Sequence, residues 1–551
     1  MPEPTFILGI DYGTESGRVM LVDAVNGQEV AWHVVPYPNG VLDRKLPGGA
    51  TLEADFALQD PLDYLTVLYE AIPAVLQMAG IQNARVAGIG VDFTSCTILP
   101  SKTDGTPLRS IPELENNPHA WVKLWKHHAA QPQATRINEL ATKRGEEFME
   151  LYGGGYSSEW FFSKVLETLQ KAPEIYEAAD RFLEAGDWLV GQLVGQESRS
   201  ECAAGYKGMW IKGKGWPSKD FFEELDPRLK NVIAEKIEGP LIPVGGRAGG
   251  LTSKMADLTG LIAGTPVSAA VIDAHAAAPA CSLSQSGRLA MIMGTSLCHM
   301  LLGDQKKIVE GCGGLVEDGI IPGFWGYEAG QAAVGDIYAW FFENGINAST
   351  ENQAQLAGVS PEDLITEKAA ALIPGEAGLI ALDWWNGSRS VLMDTELSGV
   401  ILGMTLKTRP EEIYRALVEA TAFGTRQVIE TFEQQGVSIR DIVACGGLAE
   451  KSPFVMQIFA DVTGRDILLP HSFQASGLGA AIHGAVAAEY YQDFPSAIAC
   501  MASLQEKHYK PDAEAKAIYD KLFAEYSTLH DYLGRGVNDV MKRLRNLRPK
   551  L

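Results

Sequence analysis

The chain has 551 residues, 46% apolar and 21% charged, proportions that build large buried cores in two or more soluble domains. Its 69 acidic residues outweigh 46 basic ones and leave a formal charge of −23, which excludes a protein that works by spreading a basic surface over nucleic acid or an anionic membrane. The seven cysteines, at 96, 202, 281, 298, 312, 445 and 500, form no CxxC, as expected of reduced cytoplasmic thiols, and the ten histidines form no HExxH for a protein-held zinc.

In chain order, Met1-Pro-Glu-Pro is acidic and the apolar run 6–10 stops at Asp11, so no signal peptide is expected. No run approaches the roughly 18 apolar residues of a membrane span. A strand-turn-strand unit runs from Phe6 to about Val35, turning through Asp11-Tyr-Gly-Thr-Glu-Ser16. Gly13 lets the backbone approach an anion, and Thr14 with the free N–H groups can face phosphate. Asp11 can hold magnesium through water; the competing reading is a hairpin turn with a solvated Asp.

A helix pattern covers 61–79 and a strand 86–91. Asp92, in Val91-Asp-Phe-Thr-Ser-Cys96, reads as a base at a strand end or as a helix cap. The stretch 110–240, rich in Trp, Tyr and charge and broken at 153–155, reads as an insertion that shapes a pocket. Trp121, Trp125, Tyr206-Lys207-Gly-Met-Trp210 and the later Trp325-Gly-Tyr-Glu328 offer aromatic faces and charges to a sugar. For any one of these Trp residues, core packing competes.

Dense Gly and Pro over 239–250 mark a linker. The break is expected near 245–262, giving domains 1–255 and 256–551, with the strand 266–272 opening the second half. Asp273 follows it, either as a carboxylate that takes a hydroxyl proton or as an N-cap. The turn Gly294-Thr295-Ser296, between apolar runs, repeats the first turn. Two such turns predict two related halves gripping one polyphosphate, and hence a nucleotide-dependent enzyme.

Thr408 with Glu411 predicts a capping box for a helix running to Gly436. The strand 441–445 ends in Gly446-Gly447, whose backbone can lie against a flat base or ribose. Lys451-Ser452 mimics a P-loop but Glu450 stands where its Gly belongs. Gly88-Ile-Gly90 lacks the third Gly of a Rossmann turn. Ser452 and Pro453 predict the start of a helix ending near Gly464. The basic residues Lys542, Arg543, Arg545, Arg548 and Lys550 read as the solvated end of a last helix.

At these residues the chain resembles the FGGY family of carbohydrate kinases, over essentially its full length. Gly399-Val-Ile-Leu-Gly-Met404, seven residues, then Glu412-Ile-Tyr-Arg-Ala-Leu-Val-Glu419 resembles a family signature. Val91 to Thr97 and Asp383-Trp-Trp-Asn-Gly-Ser-Arg389 resemble the branch that acts on L-ribulose. The resemblance implies an α/β fold of two actin/hexokinase-like (ribonuclease H-like) domains around an ATP/sugar cleft, sugar mostly on the first and ATP mostly on the second. It implies ATP- and Mg2+-dependent phosphorylation of L-ribulose at O5, a step of L-arabinose catabolism, in the cytoplasm. Sugar and ATP are the implied partners, with neither nucleic acid nor membrane, and a homodimer is left open. Asp273 is implied as the catalytic base and Asp11 as the metal residue. Gly13, Thr14, Gly294, Thr295 and Ser296 would face phosphate, and Gly446, Gly447 and Lys451 the adenosine. Asp92, Ser95, Trp125, Lys207, Asp273 and Glu328 would line the sugar pocket. The Asn that often follows the family's Gly-Gly is missing from Ala449-Glu-Lys-Ser452. The alternatives are a kinase for D-ribulose or xylulose, and a non-kinase ATPase of the actin/chaperone fold, which needs neither a base nor an aromatic pocket. Sugar and ATP on different halves require closure, with the linker near 245–262 expected in the hinge.

Overall fold

Apolar residues at successive positions of 6–10 and 19–22 suit strands buried on both faces. In a computed structural model, which describes residues 5–81 and 85–547, Phe6–Tyr12, Ser16–Asp23 and Glu29–Pro36 form an antiparallel meander. The helix Pro61–Ala79 follows as expected. Asp60 accepts a hydrogen bond from the Leu62 N–H at 3.0 Å, Pro61 opens the first turn, and Gly80, at φ 61°, closes the helix. Its apolar face buries Tyr64, Val67, Leu68, Ala71, Ile72 and Val75 in the core of the sheet. The chain returns as Val86–Phe93, parallel to Phe6–Tyr12.

The first sheet then recruits later strands. Arg247–Gly250 pairs with Pro266–Ser268, which lies beside Val86–Phe93, and Val271–Ile272 also pairs with Val86–Phe93. The strand region 266–272, expected to open the second half, therefore completes the first. The reason is topological: a parallel strand returns by a crossover, so sheet order need not follow chain order. Nor is 245–262 an open linker. It holds the strand Arg247–Gly250 and the helix Ser253–Thr259, capped by Thr252 and closed by Gly260. By sheet membership the halves divide between Ile272 and Arg288.

The second half repeats the plan. Arg288–Met293 and Leu297–Gly303 form a hairpin, Trp325–Gln331 adds an antiparallel strand, and Asp441–Cys445 returns parallel to Arg288–Met293. The intervening helix is Pro410–Gln434, with Gly436 beyond its end at φ 85°. It starts one residue later than the Thr408–Glu411 reading. Pro410 takes the first helical position, so Arg409 is the cap, and the Glu412 carboxylate accepts from its N–H at 2.7 Å. Pro453–Thr463, capped by Ser452 and ended by Gly464, matches expectation. Of the basic tail, Lys542 pairs with Asp394 at 2.6 Å and Arg545 donates to the Thr395 carbonyl, so this end docks instead of lying free. Arg548 and Lys550 lie outside the described residues.

The insertion joins two earlier strands in a small sheet, in the order Leu58–Gln59, Val122–Lys123, Ile98–Ser101, Arg181–Glu184, over a separate aromatic core. Trp121 belongs to that core, under the Arg109 guanidinium. The halves are joined by the helix Ala475–Ala487, which packs its Gly and Ala residues on the first sheet and on the helix Asp273–Ala280. A Cβ on Gly90 would stand 1.7 Å from the Ala480 carbonyl oxygen, and one on Gly479 would stand 1.7 Å from that of Ala276. Only the missing side chains allow this approach. Among the described residues no helix is long and apolar enough to cross a membrane.

Candidate active site

Three carboxylates meet at the ends of three adjacent strands. Asp11 and Asp92 stand opposite each other where Phe6–Tyr12 and Val86–Phe93 pair, and Val271 is paired with Asp92, which brings Asp273 alongside. Asp92 is fully buried and neither carboxylate oxygen has a hydrogen-bond partner. Burial, and then the charges of Asp11 and Asp273, push it well above the usual carboxylate range. Asp11 is raised by burial, against the pull of Arg18 at 3.1 Å. Ile272 holds the N-cap position of the helix Asp273–Ala280, so Asp273 is its first helical residue. The Asp273 Oδ1 accepts from the Ala274 N–H at 2.7 Å. Burial pushes Asp273 up to about 7, with Asp11 and Glu328 adding and the Ala274 bond opposing. A carboxyl poised there can accept a proton near neutrality.

The two Gly-Thr turns are built alike but not identically. In the first, the Gly13 N–H donates to the Ser16 carbonyl at 3.0 Å, between the paired residues Tyr12 and Gly17. In the second, the Gly294 N–H donates to the Ser296 carbonyl at 3.0 Å, between Met293 and Leu297. Gly294 and Thr295 are exposed, and Ser296 is half-buried. Gly446 sits against this second turn: at φ 92°, a Cβ there would stand 2.4 Å from the Met293 carbonyl. Gly447 faces open space. Gly294, Thr295, Ser296, Gly446 and Gly447 thus share one exposed shelf, and Lys451 lies at the exposed end of the short helix Gly447–Lys451.

On the other side, Lys207 donates to both Glu328 oxygens, at 2.7 and 2.8 Å, joining the insertion to the second sheet. Burial works against the ionised Glu328, but the Lys207 charge and the nearby His275, whose Nε2 lies 3.3 Å away, outweigh it and hold the carboxyl below its usual range. Lys207 also lies over the Trp160 ring, 5.0 Å from its centroid. Its charge and that of Glu328 both reach Asp273. Trp125 donates its indole N–H to Thr14 Oγ1 at 3.1 Å. Ser95 is half-buried on the bend after Val86–Phe93, its hydroxyl 3.1 Å from Cys96 Sγ, and Lys164 holds that bend by donating to the Cys96 carbonyl at 2.6 Å.

Of the residues picked out in the sequence, Asp11, Asp92, Asp273, Lys207 and Glu328 lie close enough to act on one another's charges and Trp125 touches Thr14, whereas Trp121 lies in the insertion's core and Lys451 at the exposed end of its helix. Three neighbours went unassigned in the sequence: Trp160 beneath Lys207, His275 beside Glu328, and Arg389 near Glu159. The position of His275, two residues after Asp273, was its one local signal. Among the described residues no group of three or more His, Cys, Asp or Glu could hold a metal by itself. Asp11 and the unpartnered carboxyl of Asp92 suit a magnesium that arrives on phosphates and keeps several waters.

Two family descriptions match the chain: the N-terminal domain of the FGGY family of carbohydrate kinases over residues 6–279, and its C-terminal domain over 289–488. The chain is 53% identical over 546 residues to a ribulokinase of Geobacillus thermodenitrificans, covering 98% of this chain and 97% of that protein. It is 47% identical over 547 residues to a ribulokinase of Mycolicibacterium smegmatis, covering 99% and 97%. Its fold superposes on a gluconate kinase from Lactobacillus acidophilus with a TM-score of 0.80 at 19% identity, covering 97% and 99% of the two chains. For a xylulose kinase from Rhodospirillum rubrum the TM-score is 0.78 at 22% identity, covering 96% and 99%.

Proposed function

That the chain belongs to the FGGY family of carbohydrate kinases is the premise from which we propose its reaction: ATP-dependent phosphorylation of L-ribulose at O5, giving L-ribulose 5-phosphate for L-arabinose breakdown. The observation that carries this reading is the convergence of Asp273 with the Lys207–Glu328 pair between two Gly-Thr turns, in a chain about half identical to ribulokinases from end to end.

Lys207 and Glu328 form a rigid donor–acceptor pair that orients sugar hydroxyls, with Trp125 and Ser95 at the same wall. Asp273 takes the proton of the attacking hydroxyl. The N–H groups of Thr14, Thr295 and Ser296, on turns that the Gly13 and Gly294 N–H groups close internally, hold phosphate oxygens from both sides, and Gly446-Gly447 lies against the nucleoside. Asp11 and Asp92 would hold Mg2+ through water, and that ion supplies charge neutralisation on the transferring phosphoryl group. Most of the rate then comes from positioning and preorganised charge. An ADP-release assay over L-ribulose, D-ribulose, xylulose and glycerol should give L-ribulose the highest kcat/KM. A clear preference for xylulose or glycerol overturns the substrate, and ATP turnover that no sugar stimulates returns the chain to the non-kinase ATPases.

A further inference from the structure

Among the described residues Arg389 is a cation without a side-chain hydrogen bond, near the carboxylates of Glu159 and Glu328. Its guanidinium carries five N–H donors. Among the described residues it donates to none, and its nearest charged partner, Glu159 Oε2, lies 3.9 Å from Nη2, too far for a hydrogen bond. The side chain is 26% exposed and so largely withdrawn from free solvent. The groups that act on its charge through space are Glu159, Cys298, Glu328 and Cys96. Glu159 and Cys96 belong to the sugar side, and Cys298 follows the second turn by two residues.

The loop that presents Arg389 is fixed from both ends. Ser388 exchanges backbone hydrogen bonds with Asp394, both at 2.9 Å. The Ser390 N–H donates to the Gly330 carbonyl at 3.0 Å, and the Gly330 N–H donates to Ser390 Oγ at 3.2 Å. Gly330 stands on the strand Trp325–Gln331 that carries Glu328. The Arg389 Cδ lies 3.7 Å from where a Gly330 side chain would begin, so the arginine stem runs along that strand. At the loop's start, Asp383 is held by Gln331 at 2.7 Å and by the Tyr526 hydroxyl at 2.9 Å. A guanidinium carried on so firmly held a loop, with its own donors free, is available to ligand oxygens.

We infer that Arg389 is a sugar-binding residue supplied by the second half, donating to the oxygens at the carbonyl end of the ketose while Asp273 serves the hydroxyl at the other end. This rests on the kinase reading above. Lys207 spends two of its three N–H donors on Glu328, so Arg389 supplies the further donors for the C1–C2 end. Because the loop belongs to the second half and Glu159 to the insertion, sugar bound here also bridges the halves.

The test compares wild type, Arg389→Lys and Arg389→Met, each checked by thermal melting. Wild type must first phosphorylate L-ribulose; if it does not, the functional reading fails, whatever the variants do. In Arg389→Met the KM for L-ribulose should rise about tenfold or more, the cost of a lost charge-assisted hydrogen bond. The KM for ATP should stay within about twofold, and Arg389→Lys, which keeps the charge, should recover part of the loss. The penalty should be larger for the ketose than for ribitol, which lacks the carbonyl. An unchanged sugar KM in an active Arg389→Met overturns the inference, as does a rise confined to the KM for ATP. If the Met variant does not fold, the Lys variant decides by the same two KM values.

Discussion

Trp125 donates its indole N–H to the Thr14 hydroxyl across 3.1 Å, tying the insertion to the first Gly-Thr turn. The same threonine's carbonyl accepts from Gln59 at 2.6 Å, so the turn is held from two sides. Trp125→Phe keeps the ring but removes the bond. With a net hydrogen bond worth about 1 kcal/mol, kcat/KM for the sugar should fall about fivefold with little change in melting temperature. Steady-state kinetics with an unaltered kcat/KM would show that the bond is incidental to catalysis.

Asp273 sets a pH limb. Its carboxyl is pushed up to about 7, chiefly by burial, and it works as a base only when deprotonated. The kcat/KM should therefore climb as pH rises through about 7 and level off above. Asp273→Asn should lose this limb, and its kcat should fall about 10²–10⁴-fold. Stability runs the opposite way. The folded state binds this proton more tightly than the unfolded state, so the wild type loses stability as pH rises from about 4 through 7. Asp273→Asn removes that loss and should melt no lower than wild type at pH 8. A mutant of near-normal kcat would assign the proton elsewhere.

Lys207 and Glu328 should be separable by a double-mutant cycle. Lys207→Met strands a buried carboxylate and should cost about 3–5 kcal/mol in denaturant unfolding, and adding Glu328→Gln should recover part of it. A double-variant loss equal to the sum of the Lys207→Met and Glu328→Gln losses would show that the pair does not interact.

The glycine contacts predict opposite outcomes at two sites. Gly479→Ala forces a methyl group to 1.7 Å from the Ala276 carbonyl, and the overpacking should cost about 1–3 kcal/mol or more. Because Ala276 follows Asp273 by one helical turn, kcat should fall as well. Gly447→Ala meets nothing within 4 Å. It should fold normally and instead raise the KM for ATP, since its methyl group occupies the open shelf. A normal KM for ATP would remove Gly447 from the nucleoside site.

Both hairpins were legible because each is a local event: an apolar strand, a Gly-Thr turn and a second apolar strand. The helix at 453–463 was legible from Ser452 and Pro453, whose capping chemistry acts over three or four residues, and that at 61–79 from its apolar pattern. The 410–434 start slipped by one because Pro410 fixes the first turn more strongly than Thr408 can cap it. The strand at 266–272 was assigned to the wrong sheet, since its partner Val86–Phe93 lies about 180 residues upstream and nothing local names it. Asp11, Asp92 and Asp273 could be picked because strand ends concentrate chemistry. Trp160 could not, and Arg389, though it closes the run 383–389, carried no local signal of the group it would face.

The helix Ala475–Ala487 sets an order on biosynthesis. It shields Ile7, Met20 and Val22 of the first sheet with Leu478, Ala481, Ile482 and Ala485, yet it is translated roughly 200 residues after that sheet's last strand at Val271–Ile272. At ribosomal speeds this leaves an apolar face uncovered for on the order of ten seconds or more. The amino-terminal half cannot mature as a free-standing unit, and a fragment ending near residue 280 should precipitate or bind hydrophobic dyes until this helix is supplied. A soluble fragment that binds no dye would mean that the sheet closes without it. Two halves that look like repeats are thus finished together, once the helix Ala475–Ala487 has been made.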